Sequence, residues 1–273
     1  MLQDATGSEL RGVSRGLRTR QQGVSCQVWI GTSGYHYKHW KGPFYPERLP
    51  ASKMLAFYVE QFDTVELNAT FYRLPPVGAA ASWREQSPEG FCFAAKGSRF
   101  ITHMKKLKDP APALERYFEH IKDLKGKLGP IVFQLPPFWP VDLERLEAFL
   151  EALPPEHRYA FEFRNPTWHC SEVYAALERA NAAFCPFDIA GFHSPVLLTA
   201  DFAYVRLHGP GPGPYQGSYS TEALSFWSDR VSHWKRTLKA VHVYFDNDME
   251  GFAVRNALTL RGMLGQSPSL GPR

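Results

Sequence analysis

Residues 159–168 read YAFEFRNPTW. Apolar side chains, three of them aromatic, fill the first five positions around one acid, Glu162. Asn165-Pro166 then closes the run, because proline has no amide hydrogen to give to a ladder. A strand that is apolar almost throughout is covered on both faces, which points to a parallel sheet. Side chains two apart share a face, so Glu162 and Arg164 emerge together where the run ends.

Seven more runs of this form flank that stretch: VWI from Val28, VEL from Val65, FCFAA from Phe91, IVFQL from Ile131, FCPFDI from Phe184, AYVRL from Ala203 and VHVYF from Val241. Between most of them lie amphipathic stretches that predict helices over 52–62, 79–85, 113–124, 142–153, 171–180, 222–238 and 251–260. The sixth connection, 189–201, carries GFHSPVLLT with Gly, Pro and no helical period, so a helix is expected to be missing there. Eight strands alternating with helices predict an α/β fold. Right-handed crossovers bury both faces of the sheet and close it into a single-domain TIM (β/α)8 barrel with an irregular sixth βα connection. The 273 residues sit just above the usual barrel size of about 250.

Composition agrees with a folded, water-facing chain. Hydrophobic residues make up 44% and aromatics 14%, enough for a sizeable core and too much for a disordered chain. No run approaches the roughly 20 apolar residues a spanning helix needs, so no membrane partner is expected. The formal charge is +4. Residues 1–25 hold four Arg against Asp4 and Glu9, and 261–273 hold Arg261 and Arg273 without an acid. Removing these from 31 bases and 27 acids leaves 25 of each for 26–260. A broad phosphate-binding face is therefore not indicated, although a local cluster can still serve an anion. The expected organisation is a flexible Arg-rich tail over 1–25, one barrel domain over 26–262 and a flexible tail over 263–273. Cys26, Cys92, Cys170 and Cys185 are scattered without C-x-x-C spacing, which predicts neither a disulfide framework nor a zinc site and suits a reducing cytoplasm.

In such barrels the site forms where the βα loops converge at the carboxyl ends of the strands. Polar and aromatic groups crowd those positions: Thr32, Ser33 and Tyr35 after the first run; Glu66, Asn68 and Tyr72 at the second; Lys96 and Arg99 at the third; Gln134 at the fourth; Glu162, Arg164 and Trp168 at the fifth; Asp188 at the sixth; Arg206 and His208 at the seventh; Asp246, Asn247 and Asp248 at the eighth. The ordered series IGTSGYHYKHWKGPFYP, VELNATFYRLP, FAAKGSRFITH, FQLPPFW, FEFRNPTW, YVRLHGP and YFDND resembles the YecE-like family, a domain family of unknown function with a TIM-barrel fold. The resemblance covers nearly all of residues 28–260. For fold it implies the barrel. For function it implies, through the suggested likeness of members to endonuclease-IV-type barrels, nucleic-acid or phosphodiester binding.

The residues support three functions. In the first, Lys96, Arg99, Arg164 and Arg206 hold a small phosphate-bearing or otherwise anionic ligand, with Glu162 or Glu66 as general base of a hydrolase acting on a phosphate ester. In the second, Glu66 and Glu162 form the acid and base, or acid and nucleophile, of a glycoside hydrolase. In the third, the Arg side chains take phosphates of nucleic acid and loop aromatics stack its bases, without catalysis. A blander alternative stands beside all three: the bases simply neutralise Glu66, Glu162 and Asp188 in an ion-pair network. His36, His39, His103, His169, His193 and His208 are spread over five loops without H-x-H or H-E-x-x-H, so the spacing does not indicate a metal, and the sequence leaves the cofactor open. Cys170 beside His169 is only a sequence neighbour, which is not enough for a thiol nucleophile. No protein partner is indicated.

Overall fold

Each of the eight apolar runs is a strand or contains one in the computed structural model, which describes residues 26–266. The strands are β1 Gln27–Thr32, β2 Thr64–Leu67, β3 Cys92–Lys96, β4 Leu128–Leu135, β5 Tyr159–Phe163, β6 Ala183–Phe184, β7 Phe187–Ile189, β8 Phe192–His193, β9 Phe202–Leu207 and β10 Ala240–Phe245. They form two five-stranded sheets, in the orders β2-β3-β4-β5-β6 and β1-β10-β9-β7-β8. Every pair is parallel except β7 with β8. The sixth run is split because Pro186 has no amide hydrogen to donate. Cys185 N still donates to Phe161 O of β5 (2.8 Å), while Pro186 O accepts from Arg206 N of β9 (3.0 Å). One run thus borders both sheets. At the other edges β1 meets β2: Ser33 bridges to Glu66, and Gly34 N donates to Glu66 O at 2.8 Å. That approach requires Gly31, where a Cβ would stand 2.4 Å from Thr64 O.

Between β7 and β9 no helix forms. The β7–β8 hairpin fills that connection, pinned by Ser194 N to Phe187 O (2.9 Å) and by Phe187 N to Ser194 Oγ (2.8 Å). The helices are α1 Met54–Tyr58, α2 Ala69–Tyr72, α3 Ala79–Glu85, α4 Pro110–Ile121, α5 Leu143–Glu151, α6 Ser171–Arg179, α7 Thr221–Trp234 and α8 Phe252–Met263. Their ends follow local chemistry. Asp142 and Ser220 cap α5 and α7 by accepting from Arg145 N and Ala223 N, and Pro110 opens α4 three residues before the expected start. Helix α1 is shorter than the expected 52–62, being preceded by a 3-10 turn at Ala51–Lys53, and α7 stops at Trp234 instead of Leu238. The tail expected over 1–25 and residues 267–273 lie outside the described residues. Of the tail expected from 263, Met263 closes α8 and the Gln266 side chain donates to Val28 O (2.9 Å).

Two apolar clusters fill the molecule. The larger lies between strands and helices. The smaller joins Ala94, Val132, Ala160, Tyr204 and Tyr244 with their neighbours, so the inner faces of both sheets share one interior. Lys96, Gln134, Glu162, Arg206 and Asp246 each stand two residues beyond one of these along the chain, which puts them on the same inner side, one layer nearer the carboxyl ends.

No helix of the described residues is long and apolar enough to cross a membrane.

Candidate functional site

Arg206 is the hub of the inner polar layer. Its side chain, like those of Glu66 and Glu162, is fully buried. Nε donates to Glu66 Oε2 (2.9 Å), Nη1 to Glu162 Oε2 (2.6 Å), and Nη2 to Glu66 Oε1 and Asp246 Oδ2 (both 2.8 Å). One guanidinium therefore serves three carboxylates. Glu66 also accepts from Tyr204 OH (2.6 Å) and Ser33 Oγ, and Glu162 accepts from Arg164 Nε at 2.6 Å. His208 lies between two acids, its Nε2 3.3 Å from Glu162 Oε2 and its Nδ1 3.0 Å from Asp246 Oδ2, the latter off the axis of a hydrogen bond.

Electrostatics follow from this packing. Burial alone would raise the Glu162 carboxyl, but Arg164, Arg206 and His208 overcome it and hold it well below the usual range. Asp246 shows the same contest: burial raises, Arg206 and His208 lower, and the net is about 2. Lys96 goes the other way. Burial and then Arg206 push its ammonium down to about 8, against the pull of Asp246, Glu162 and Glu66. Among the described residues no carboxylate lies within ion-pair distance of Lys96 Nζ, which instead sits 4.3 Å from the centre of the Phe71 ring.

Above the layer opens a cavity of about 610 Å³ walled by Tyr35, Tyr37, Tyr72, Trp83 and Tyr215, with His36, Asn68, Lys96, Asp246 and Asp248 among its polar groups. Asn68 Oδ1 is buried and has no hydrogen-bond donor in reach. The Asp248 carboxyl is raised by burial and by Asp246, and it lies 3.3 Å from His39 Nε2.

The whole of this arrangement falls within residues 29–272, which match the family described as "Protein of unknown function DUF72". The chain belongs to the DUF72 family. The UPF0759 protein YunF of Bacillus subtilis is 26% identical over 282 residues, covering 90% of this chain and 98% of that one. The UPF0759 protein YecE of Escherichia coli K12 is 34% identical over 110 residues, 40% of each chain. A crystal structure of a DUF72 family protein from Thermotoga maritima MSB8 superposes with a TM-score of 0.80 at 31% identity, covering 88% of this chain and all of that one. Another, from Enterococcus faecalis V583, gives 0.76 at 19% identity over 90% of this chain and 99% of its own, a likeness of fold.

In this DUF72 chain the residues singled out in the sequence divide into three groups. Glu66, Glu162, Arg164, Arg206, His208, Asp246 and Ser33 meet in the buried network. Lys96, Asn68, Tyr35 and Tyr72 face the cavity, which Asp246 of the network also lines. The others stand apart. The Thr32 hydroxyl is bonded to Gly34 O (2.7 Å) and Tyr58 OH (2.9 Å), and Trp168 is fully buried against Phe163 with its Nε1–H on Trp139 O (2.8 Å). Arg99 is exposed on a neighbouring groove. Asp188, raised by burial against the hydrogen bond from Tyr219, accepts from Tyr219 OH and His208 N, so it buttresses the loop after β9. Gln134 is buried beside Glu162 in the β4–β5 register. Trp83 and Tyr204 were not singled out. Trp83 comes from a helix, where nothing in the sequence marks it, but Tyr204 stands two before Arg206, and that spacing alone puts it on the inner face. No group of three or more His, Cys, Asp or Glu among the described residues is arranged to hold a metal ion. The cations bonded to the clustered carboxylates are Arg206 and, on Glu162, Arg164.

Proposed function

We propose that the two sheets are halves of one closed (β/α)8 ring and that the cavity at its carboxyl-end mouth binds a small ring-bearing ligand through a phosphate or carboxylate group. The split sixth run bordering β5 and β9, the β1–β2 bridge at Ser33 and the shared inner cluster support closure. One observation carries the ligand reading: Lys96 puts a buried ammonium into an aromatic-walled cavity with no carboxylate in contact. A cation so placed is suited to an anion, the aromatic walls to a ring, and Asn68 and Asp248 to hydroxyl or amide groups. The four thiols, unpaired, suit a reducing compartment.

Glu66 and Glu162 fit neither the hydrolase base nor the glycosidase pair. A general base must reach its proton, and both side chains are fully buried, saturated by Arg206 and outside the cavity wall. The test is thermal unfolding with phosphate, sugar phosphates and small carboxylates. A ligand at a hundred times its dissociation constant adds about 2.7 kcal/mol of stability. Shifts that vanish in Lys96→Met support the reading, and no shift with any anion overturns it.

A second reading has its own observation. Tyr72 also lines an adjoining groove of about 840 Å³ that carries Arg73, Arg99, Arg116, Phe100 and Met104 and no acid. Such a groove favours single-stranded nucleic acid, whose phosphates would meet the Arg side chains while its bases stack on Tyr72 and Phe100. Oligonucleotide affinity falling steeply with salt supports it, and salt-independent or absent binding counts against it.

A further inference from the structure

We propose that Lys96 is a nucleophile that joins the carbonyl carbon of a small oxo acid or sugar-like aldehyde in a covalent imine within the mouth cavity. The proposal rests on the cavity being a ligand site and adds a reaction to it. Three features of Lys96 set it apart from an ordinary surface lysine. It is 4% exposed yet lines the cavity, its Nζ is tied to no carboxylate among the described residues, and the Phe71 ring covers it at 4.3 Å. A contrast makes the point: Lys127, also lowered by burial, donates to Arg84 O and Ser87 O, both at 2.7 Å, so its nitrogen is occupied. Desolvation beside another cation is what keeps an amine unprotonated near neutral pH. With its proton lost near pH 8, about a quarter of Lys96 is free amine at pH 7.5, against about a thousandth for a lysine of ordinary proton affinity.

The reaction balances without an oxidant or reductant. The nitrogen lone pair of neutral Lys96 attacks the carbonyl carbon, the C–O π bond opens, and the oxygen takes the proton released from nitrogen, giving a carbinolamine. The hydroxyl then leaves as water with one further proton while C=N forms, and the protonated imine keeps the positive charge of the lysine it replaces. The proton for water departure comes from solvent, and the Asp248 carboxyl, which lines the same cavity, is placed to relay it. Asn68 Oδ1, the buried acceptor without a donor, can take a hydrogen bond from the carbinolamine hydroxyl.

The experiment incubates the full chain with glyoxylate, pyruvate or glycolaldehyde and sodium cyanoborohydride, then locates adducts by peptide mass spectrometry. The expected result is one dominant adduct on Lys96, formed at least ten times faster than on any other lysine, slowing from pH 8 to pH 6, and missing in Lys96→Arg while the background on other lysines is unchanged. Adducts spread over exposed lysines with Lys96 no faster than the rest, or no adduct at all, overturn the proposal. Thermal shifts with the same compounds and no reductant separate the two levels. A shift without a Lys96 adduct retains the ligand cavity and rejects the imine. A Lys96 adduct that forms in competition with phosphate or a small carboxylate supports both.

Discussion

Replacing Arg206 by methionine removes one cation from three buried carboxylates. The variant keeps much of the apolar volume and none of the hydrogen bonds to Glu66, Glu162 and Asp246. The three acids lose unequally. Glu162 retains Arg164 at 2.6 Å, Asp246 retains His208 at 3.0 Å, and Glu66 retains only the hydroxyls of Ser33 and Tyr204. Stranding a buried charge by deleting its partner costs about 3–5 kcal/mol, a large share of the roughly 5–15 kcal/mol that holds a domain folded. We therefore expect about 4 kcal/mol of destabilisation at pH 8, read as the fall in urea midpoint at constant m-value with tryptophan fluorescence as probe. The pH dependence carries the sign. A stranded carboxylate is relieved by taking up a proton, so the difference between wild type and variant shrinks as pH falls from 8 to 5. Wild-type Asp246, held at about 2 against an ordinary 3.8, contributes about 2 kcal/mol above pH 4 that is lost as pH falls through 2, and part of this disappears with Arg206. Adding Glu66→Gln to Arg206→Met should return a part of the loss at pH 8. A cost below about 1 kcal/mol, or one constant between pH 8 and 5, refutes the claim that Arg206 is the hub.

Lys96→Met should stabilise the fold at pH 7 by about 2–3 kcal/mol, because a lysine lowered to about 8 destabilises the folded state wherever it is charged; the wild-type rise in stability between pH 8 and 10 should vanish with it in the same urea titrations. Gly31→Ala puts a Cβ 2.4 Å from Thr64 O and should lower the melting midpoint by the equivalent of about 1–3 kcal/mol, reporting on the β1–β2 seam by calorimetry. His242, fully buried and lowered to about 3 by desolvation and then Arg158, stays neutral in the fold while the unfolded chain takes up a proton below 6.5. The wild type should therefore lose stability as pH falls from 6.5 toward 3, and His242→Phe should flatten that part of the urea-midpoint profile.

The strands were legible because a parallel strand covered on both faces is an apolar run, and all eight runs appear within a few residues of their expected starts. Helices were read less well where they are short. Ala69–Tyr72 follows β2 so closely that it continued the strand-end motif, and the 3-10 turn at Ala51–Lys53 has the composition of a helix start. At the site, period-two spacing put Glu162 and Arg164 on one face, where they meet at 2.6 Å, while Glu66, Glu162, Arg206 and Asp246, from four different runs, were gathered by the expected convergence of the strand ends. Radial depth was invisible: whether an inward carboxylate meets solvent or a guanidinium depends on what the strand opposite inserts, and that is Arg206, 140 residues from Glu66 in sequence. Trp168 shows the same limit in reverse, an aromatic next to a polar loop that turns inward to stack on Phe163. Trp83 reaches the cavity from α3, a helix whose pattern reports only which face is apolar.

One lysine underlies both proposals, and pH separates them. An anion held by Lys96 needs the ammonium, so its affinity should weaken as pH rises through 8. An imine needs the free amine for attack, so its formation should quicken over the same rise from pH 6 to 8. The buried network keeps the two from interfering, since Glu162 and Asp246, both held low, stay ionised throughout that window and leave the electrostatic surroundings of Lys96 fixed. A falling affinity for phosphate together with a rising trapping rate for glyoxylate, both centred near pH 8 and both lost in Lys96→Met, would therefore identify one titration read from its two sides. Profiles centred apart would assign them to different groups, with Lys96 keeping only the one that its substitution removes.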